Sequence, residues 1–203
     1  MKRAKKNSTY SRQTNQRNSS GAATGSTQQR SSLSPSASAS IPAVFVKTRI
    51  SHTAVFRKQI ESVEGAQSGD LVAVYSKKKE LLGYGLYNAR SEMSLRMLWR
   101  TRELPTDEAW NEKLRSAVRL RLDVLRIDDT ADTYRVVHAE SDGLPGLMID
   151  RFGDVLSAEA FSLGMYQRGE LLLKLLSEQL GTSHTILQTS PQFLSQEGVD
   201  PLT

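Results

Sequence analysis

The sequence predicts an α+β protein: a small β-barrel, then a ββ(β)αβ layer, preceded by a disordered N-terminal tail. Three observations carry this. Residues 43–104 break into short apolar runs separated by glycine and lysine turns, the pattern of a small antiparallel barrel. Residues 128–203 place three such runs before a leucine-rich helical stretch and one more run after it. Residues 1–42 have almost no large apolar side chain beyond Tyr10, Leu33 and Ile41, too few to offset the entropy of ordering a chain.

The expected tail is rich in Ser, Thr, Gln and Asn, and its first 40 residues hold seven Lys or Arg and no acid. A basic arm of this kind adds non-specific affinity for nucleic acid or only solubilises the chain. In the barrel region Val44-Phe45-Val46 opens the first strand, and Gly69-Asp70 turns into Leu71–Tyr75. Lys77-Lys78-Lys79 sits where a hairpin turns, and Leu81–Tyr87 returns. Gly83 and Gly85 inside that return strand predict a bulge or a close backbone approach. Ser94–Arg100 closes the series. Residues 105–127 form a connector helix with Thr106 at its N-cap, Trp110, Leu114 and Val118 at helical spacing, and arginines between them.

The last region, residues 128–203, starts with the strand Thr133–His138, in which His138 is expected to be a core residue. Glu140-Ser141-Asp142-Gly143-Leu144-Pro145-Gly146 then makes a sharp turn. The strand Leu147–Ile149 reaches Asp150-Arg151, and Gly153 supplies a second turn. Val155–Phe161 follows as a strand, Tyr166–Leu180 as a helix capped by Gly181, and His184–Gln188 as the closing strand.

Charge is segregated. Residues 43–104 hold 11 basic and 6 acidic residues, whereas residues 128–203 hold 4 basic and 12 acidic ones. A polyanion is drawn to the tail and the barrel and repelled by the last region. No apolar run of membrane-spanning length occurs, so no membrane association is expected. With no cysteine, disulfides, thiolate metal sites and thiolate nucleophiles are absent from the chain. His52, His138 and His184 show no ligand spacing, so no metal is expected. Glu140, Asp142 and Asp150 are the candidate paired carboxylates, but turn chemistry explains the acids of a tight turn more simply. Asp150 and Arg151, adjacent in a strand, point to opposite faces. No P-loop, dinucleotide fingerprint or Gly-x-Ser-x-Gly elbow is present.

Glu140-Ser-Asp-Gly-Leu-Pro-Gly-Leu-x-x-Asp-Arg-Phe-Gly-Asp154 resembles the hallmark segment of the PUA-containing, S-adenosylmethionine-dependent large-subunit rRNA cytosine-C5 methyltransferases. The resemblance extends through Tyr134-Arg-Val-Val, Tyr166-Gln-Arg and Gln196-Glu197-Gly198. It includes a PUA-like barrel at 43–104, with His52-x-x-Val-Phe56 as its entry motif, although Thr53-Ala54 stand where the family has Pro-Trp. The resemblance implies an RNA-binding barrel, structured 23S rRNA as partner, a cytoplasmic location, and S-adenosylmethionine held by a methyltransferase domain that follows this region. That domain is not in the sequence, and C5 methylation needs a thiolate. A truncated or split RNA-recognition half, not catalytic alone and meeting a separate methyltransferase domain, is therefore expected. The alternative is a stand-alone RNA-binding protein. The RNA contacts expected are Arg49, Arg57, Lys58, Lys77, Lys78, Lys79 and Arg96; no catalytic, cofactor or metal residue is expected.

Overall fold

Strands of two to seven residues, most of them apolar runs, build two sheets that share one large hydrophobic cluster. A computed structural model describes residues 28–36 and 38–198. The expected tail is thus described only from residue 28 onward.

The first sheet holds β1 (Ala43–Val46), β2 (Ala54–Val55), β3 (Ile60–Glu64), β4 (Leu71–Ser76), β5 (Leu81–Tyr87) and β6 (Leu95–Trp99). They run in the order β2-β6-β5-β4-β1-β3. All neighbours are antiparallel except β1 and β4, which are parallel. In β4 both faces are covered: Val72 and Val74 enter an inner cluster with Val44, Val55, Leu95 and Met97. Leu71 and Ala73 enter the shared cluster on the other side. The sequence reading assigned no strand to β2 or β3. β2 is two residues long, and β3 is an edge strand whose Glu61 and Glu64 keep its outer side charged, which hides the alternation.

The curl of this sheet comes from its glycines. Pairing shifts register between Tyr84 and Gly85 and between Val74 and Tyr75. Gly83 has φ +137°, and a Cβ there would lie 2.0 Å from the Trp99 carbonyl oxygen. Gly83→Ala is expected to cost about 2–3 kcal/mol, read as a lowered denaturant midpoint, because strain and a backbone clash coincide. An unchanged midpoint would show that the strand slides to accommodate the methyl group.

The connector is α1 (Asp107–Arg119), ended by a wide turn at Leu120–Val124. Trp110, Leu114 and Ala117 are buried. Thr106 stands at the N-cap in extended geometry, but its side chain makes no capping bond. The second sheet has β7 (Thr133–His138), β8 (Leu147–Phe152) and β9 (Val155–Ala160) as an antiparallel meander. Helices α2 (Leu163–Tyr166) and α3 (Gly169–Leu180) cross over to β10 (His184–Gln188), which pairs in parallel with β9. Gly181, at φ +65°, ends α3 and donates its N–H to the Ser177 carbonyl. Helix α4 (Pro191–Glu197) returns to the first sheet.

Three expectations need correction. The single helix Tyr166–Leu180 is two helices, because the chain turns at Gln167-Arg168 to aim Arg168 inward. His138 is exposed rather than in the core. The β7–β8 pairing shifts register between Arg135 and Val137, so Val136 and Val137 are both buried and His138 turns out. Residues 28–36 are not a structureless tail. Leu33 is buried in the shared cluster, Trp110 donates its indole N–H to Ser34 Oγ at 3.0 Å, and Arg30 pairs with Asp70 at 2.7 Å. One leucine among polar residues gives little signal in sequence, yet it fills a gap left by other elements.

The shared cluster joins Leu71, Tyr84, Leu86 and Leu98 of the first sheet to Trp110 and Leu114 of α1. It continues through Leu147, Ile149 and Leu156 of the second sheet to Leu172 and Leu176 of α3. The two regions are therefore one packed body rather than beads on a connector.

Candidate nucleic-acid interface

The hallmark turn is built mostly for structure. A single 3-10 turn, Ala139–Asp142, follows β7 and closes on Gly143 at φ +68°. Asp142 fixes it: Arg121 donates to both carboxylate oxygens at 2.5 and 2.8 Å, and the His138 N–H donates at 2.5 Å. Both side chains are nearly buried, 10% and 5% exposed for Arg121 and Asp142. Leu144 is buried, and Gly146 (φ +86°) lets Ser162 Oγ and the Arg96 stem approach to 3.1 and 3.4 Å of where a Cβ would stand. Pro145 is buried between them. Asp150 pairs across the strands with Arg135 at 2.9 Å, while Arg151 bonds the Gly153 carbonyl and lies over the Tyr134 ring. The two neighbours do face opposite ways. No two carboxylates of the motif converge on one another. Glu140 and Ser141 remain exposed.

Glu140 faces a cleft of about 540 Å³, whose other walls come from the loop after β1 and the turn after β2: Arg49, His52, Phe56 and Lys58. A second cleft of about 500 Å³ adjoins it and is lined by Lys47, Arg49, Lys77, Lys78 and Arg100, with Glu80 as its one acid among the described residues. Arg49 and Ile50 line both, so the two clefts adjoin and form one largely basic path along this face. Arg100 holds the wall between them by donating to the Ile50 and His52 carbonyls at 3.2 and 3.1 Å. The β4–β5 hairpin that carries the lysines is shaped by Ser76 Oγ, which accepts from the N–H groups of Lys78 and Glu80, and by Lys79 at φ +61°. Clefts elsewhere, around α1 and α3, are lined by Asp107, Glu108, Glu170 and Glu178, which repel a polyanion.

The seven expected basic contacts thus separate. Arg49, Lys58, Lys77 and Lys78 line the path. Lys79 is exposed at the hairpin tip. Arg57 is exposed and lines neither cleft, donating to the Arg90 carbonyl at 2.7 Å and standing 3.4 Å from Glu92. Arg96 is not on the surface path. It points between the sheets, donates to the Phe161 carbonyl at 3.1 Å and stands 4.0 Å from Glu197. Burial pushes its pKa down, and Glu197 and Glu140 partly offset that. Strand alternation put Arg96 on the face opposite Leu95 and Met97, but that face meets the second sheet, not water.

Residues the sequence reading missed are Lys47, His52, Phe56 and Arg100 on the path, and Glu197 behind it. The buried Glu197 carboxylate accepts from Asn88 Nδ2 at 2.7 Å and from the Leu163 N–H at 3.1 Å, tying α4 to both sheets. His52 and Phe56 stood in the entry motif as a signal. The connector arginines do not add to the path: Arg115 and Arg119 pair with Glu108 and Glu112, and Arg121 is held by Asp142. Among the described residues no group of three His, Asp or Glu could hold a metal ion, and no helix is long and apolar enough to cross a membrane.

Residues 47–100 match a PUA-like domain family. The chain is similar to ribosomal RNA large subunit methyltransferase I of Photobacterium profundum, 34% identical over 129 residues, covering 62% of this chain and 32% of that protein. The enzyme of the same name from Vibrio cholerae is 30% identical over 154 residues, covering 75% of this chain and 38% of that protein. A ribosomal RNA large subunit methyltransferase of Deinococcus radiodurans is 29% identical over 147 residues, covering 70% and 36%. The chain therefore spans about a third of the length of these relatives. Among solved structures, a protein from Streptococcus mutans described as a SAM-dependent methyltransferase superposes with TM-score 0.57 at 11% identity, over 71% of this chain and 40% of that one. At that identity the likeness is one of fold.

Proposed function

We propose that these residues are the RNA-recognition part of an S-adenosylmethionine-dependent large-subunit rRNA cytosine-C5 methyltransferase, and that the basic path holds the backbone of structured 23S rRNA. The observation that carries the reading is the adjacency of the two basic clefts, which share Arg49, on the PUA-like sheet and beside the hallmark turn. Lys58, Lys77, Lys78 and Arg49 meet phosphates there, with Lys79 and Arg57 at the margins; such contacts fix register without reading sequence.

These residues bind and orient; they do not transfer the methyl group. The described residues do not fit S-adenosylmethionine. The Gly143–Gly146 turn leads into a strand rather than a helix, Gly83 and Gly85 lie inside one, and Gly164 and Gly169, at the starts of α2 and α3, are buried against Leu86 and Leu187, so none of these glycines offers an open strand-to-helix turn to a ligand. The chain also has no cysteine to add at C6 of a cytosine.

Binding of structured large-subunit rRNA fragments, followed by anisotropy at several salt concentrations, is expected to weaken linearly on logarithmic axes. Replacing Lys77 and Lys78 with alanine is expected to reduce the slope by about one for each lysine lost and to weaken all sequences alike. Binding that ignores salt, or none at all, would overturn the reading.

A further inference from the structure

Glu140 is out of place in a surface that holds a phosphate backbone. It is the one acidic side chain lining the first cleft among the described residues, facing a cleft that Arg49 and Lys58 otherwise make positive. It is held there firmly. Ala139, directly before it, is buried and has φ +43°, a left-handed conformation costly for a residue with a Cβ. Asp142, two residues on, is clamped by Arg121 and by the His138 N–H. The Gly143 N–H donates to the Glu140 carbonyl, which closes the turn. A carboxylate at that place repels phosphate and accepts hydrogen bonds only.

The same cleft is lined by Phe56, a large aromatic side chain 44% exposed to water. Its backbone is fixed on both sides: its N–H donates to Gln59 Oε1 at 2.9 Å, and its carbonyl accepts from the Gln59 N–H at 2.8 Å. An exposed ring on a fixed backbone in a basic groove is a stacking platform for an unpaired base. The cleft, at about 540 Å³, lies within the range of sites that enclose small ligands.

Resting on the RNA-binding reading above, we propose that this cleft takes one unstacked nucleobase of the RNA. The base stacks on Phe56 and donates its Watson–Crick edge to Glu140. The chemistry orders the bases. Guanine presents adjacent N1–H and N2–H₂ donors that match the two carboxylate oxygens. Adenine and cytosine offer one amino group each. Uracil sets two carbonyl oxygens beside its single N–H and is disfavoured by repulsion. The basic path thus positions the RNA, and Glu140 supplies base discrimination that phosphate contacts lack.

The test uses an RNA hairpin with a short single-stranded uridine tail in which one position is varied, with anisotropy as the readout. Guanine is expected to bind about tenfold more tightly than uracil, and inosine, lacking the 2-amino group, to lose most of that gain. Glu140→Gln is expected to bring the four bases within about twofold and to raise overall affinity, since a repulsive charge is gone. Phe56→Ala is expected to weaken every tail by roughly tenfold while leaving the salt slope unchanged. Both side chains are exposed, so unchanged thermal midpoints check that the variants fold. Salt-dependent binding that ignores the tail base and both substitutions overturns the base site and leaves the basic path standing. Absence of any RNA binding overturns both.

Discussion

Replacing Arg168 with methionine is expected to cost about 3 kcal/mol of folding stability, seen as a lower denaturant midpoint with little change in slope. Arg168 is 1% exposed and has no carboxylate partner at bonding distance among the described residues; three carbonyls accept its hydrogen bonds. Nε donates to Leu33 at 2.7 Å, and Nη1 donates to Gly69 and Gly164, each at 2.9 Å. The guanidinium also lies 5.6 Å from the Trp110 ring centroid. Burial lowers its pKa to about 9, with nearby Arg30 adding to the shift and Asp70 and Asp107 opposing it, so the group is a cation at neutral pH. Methionine recovers the cost of burying that charge but strands three buried acceptors, each worth about 1–3 kcal/mol when unpaired. The acceptors outweigh the recovery. Because Leu33 is one of them, amide exchange at residues 28–36 is expected to accelerate in the same variant. A loss below about 1 kcal/mol would mean that water replaces the guanidinium and the site is less dry than its burial implies.

Asp142→Ala is expected to be as damaging, about 3–5 kcal/mol, since it leaves the Arg121 guanidinium nearly buried with no counter-charge. It also removes the acceptor for the His138 N–H and so loosens the turn that aims Glu140. Asp142→Asn keeps an acceptor for that N–H and is expected to lose less. The double variant Arg121→Met, Asp142→Leu is expected to recover much of the loss, because two buried charges that depend on each other leave together. Urea unfolding of the wild type, Arg121→Met, Asp142→Leu and the double variant gives the coupling. Additive losses would show that the pair contributes little beyond its separate packing.

Legibility followed the range of the interactions involved. Strands β4, β5 and β6 were readable because their apolar runs carry their own pattern, and Gly83 and Gly85 announced the curl. The turn chemistry of Asp142 and the opposed faces of Asp150 and Arg151 followed from local geometry and hold in the structure. β3 was not readable, because an edge strand with two glutamates shows little period. His138 was misplaced by a register shift that no local pattern reveals. At the candidate site, lysines 77 and 78 were visible as a run on a hairpin. Phe56 was visible only as part of the entry motif, and its exposure was not; Arg100 was not visible, because an arginine bracing a loop looks in sequence like any surface residue.

The sequence by itself determined the order and kind of most elements, the segregation of charge toward the first sheet, the absence of thiol chemistry, and the resemblance carried by the hallmark turn. These depend on residues within a few positions of one another, where propensity and period act. Tertiary structure alone decided which charges are available. It drew Arg96, Arg121 and Arg168 inward onto carbonyls and carboxylates contributed from far along the chain, docked Leu33 into the shared core, and left Arg49, Lys58, Lys77 and Lys78 in water. An arginine's role is set by what faces it, and the facing groups here lie up to 135 residues away.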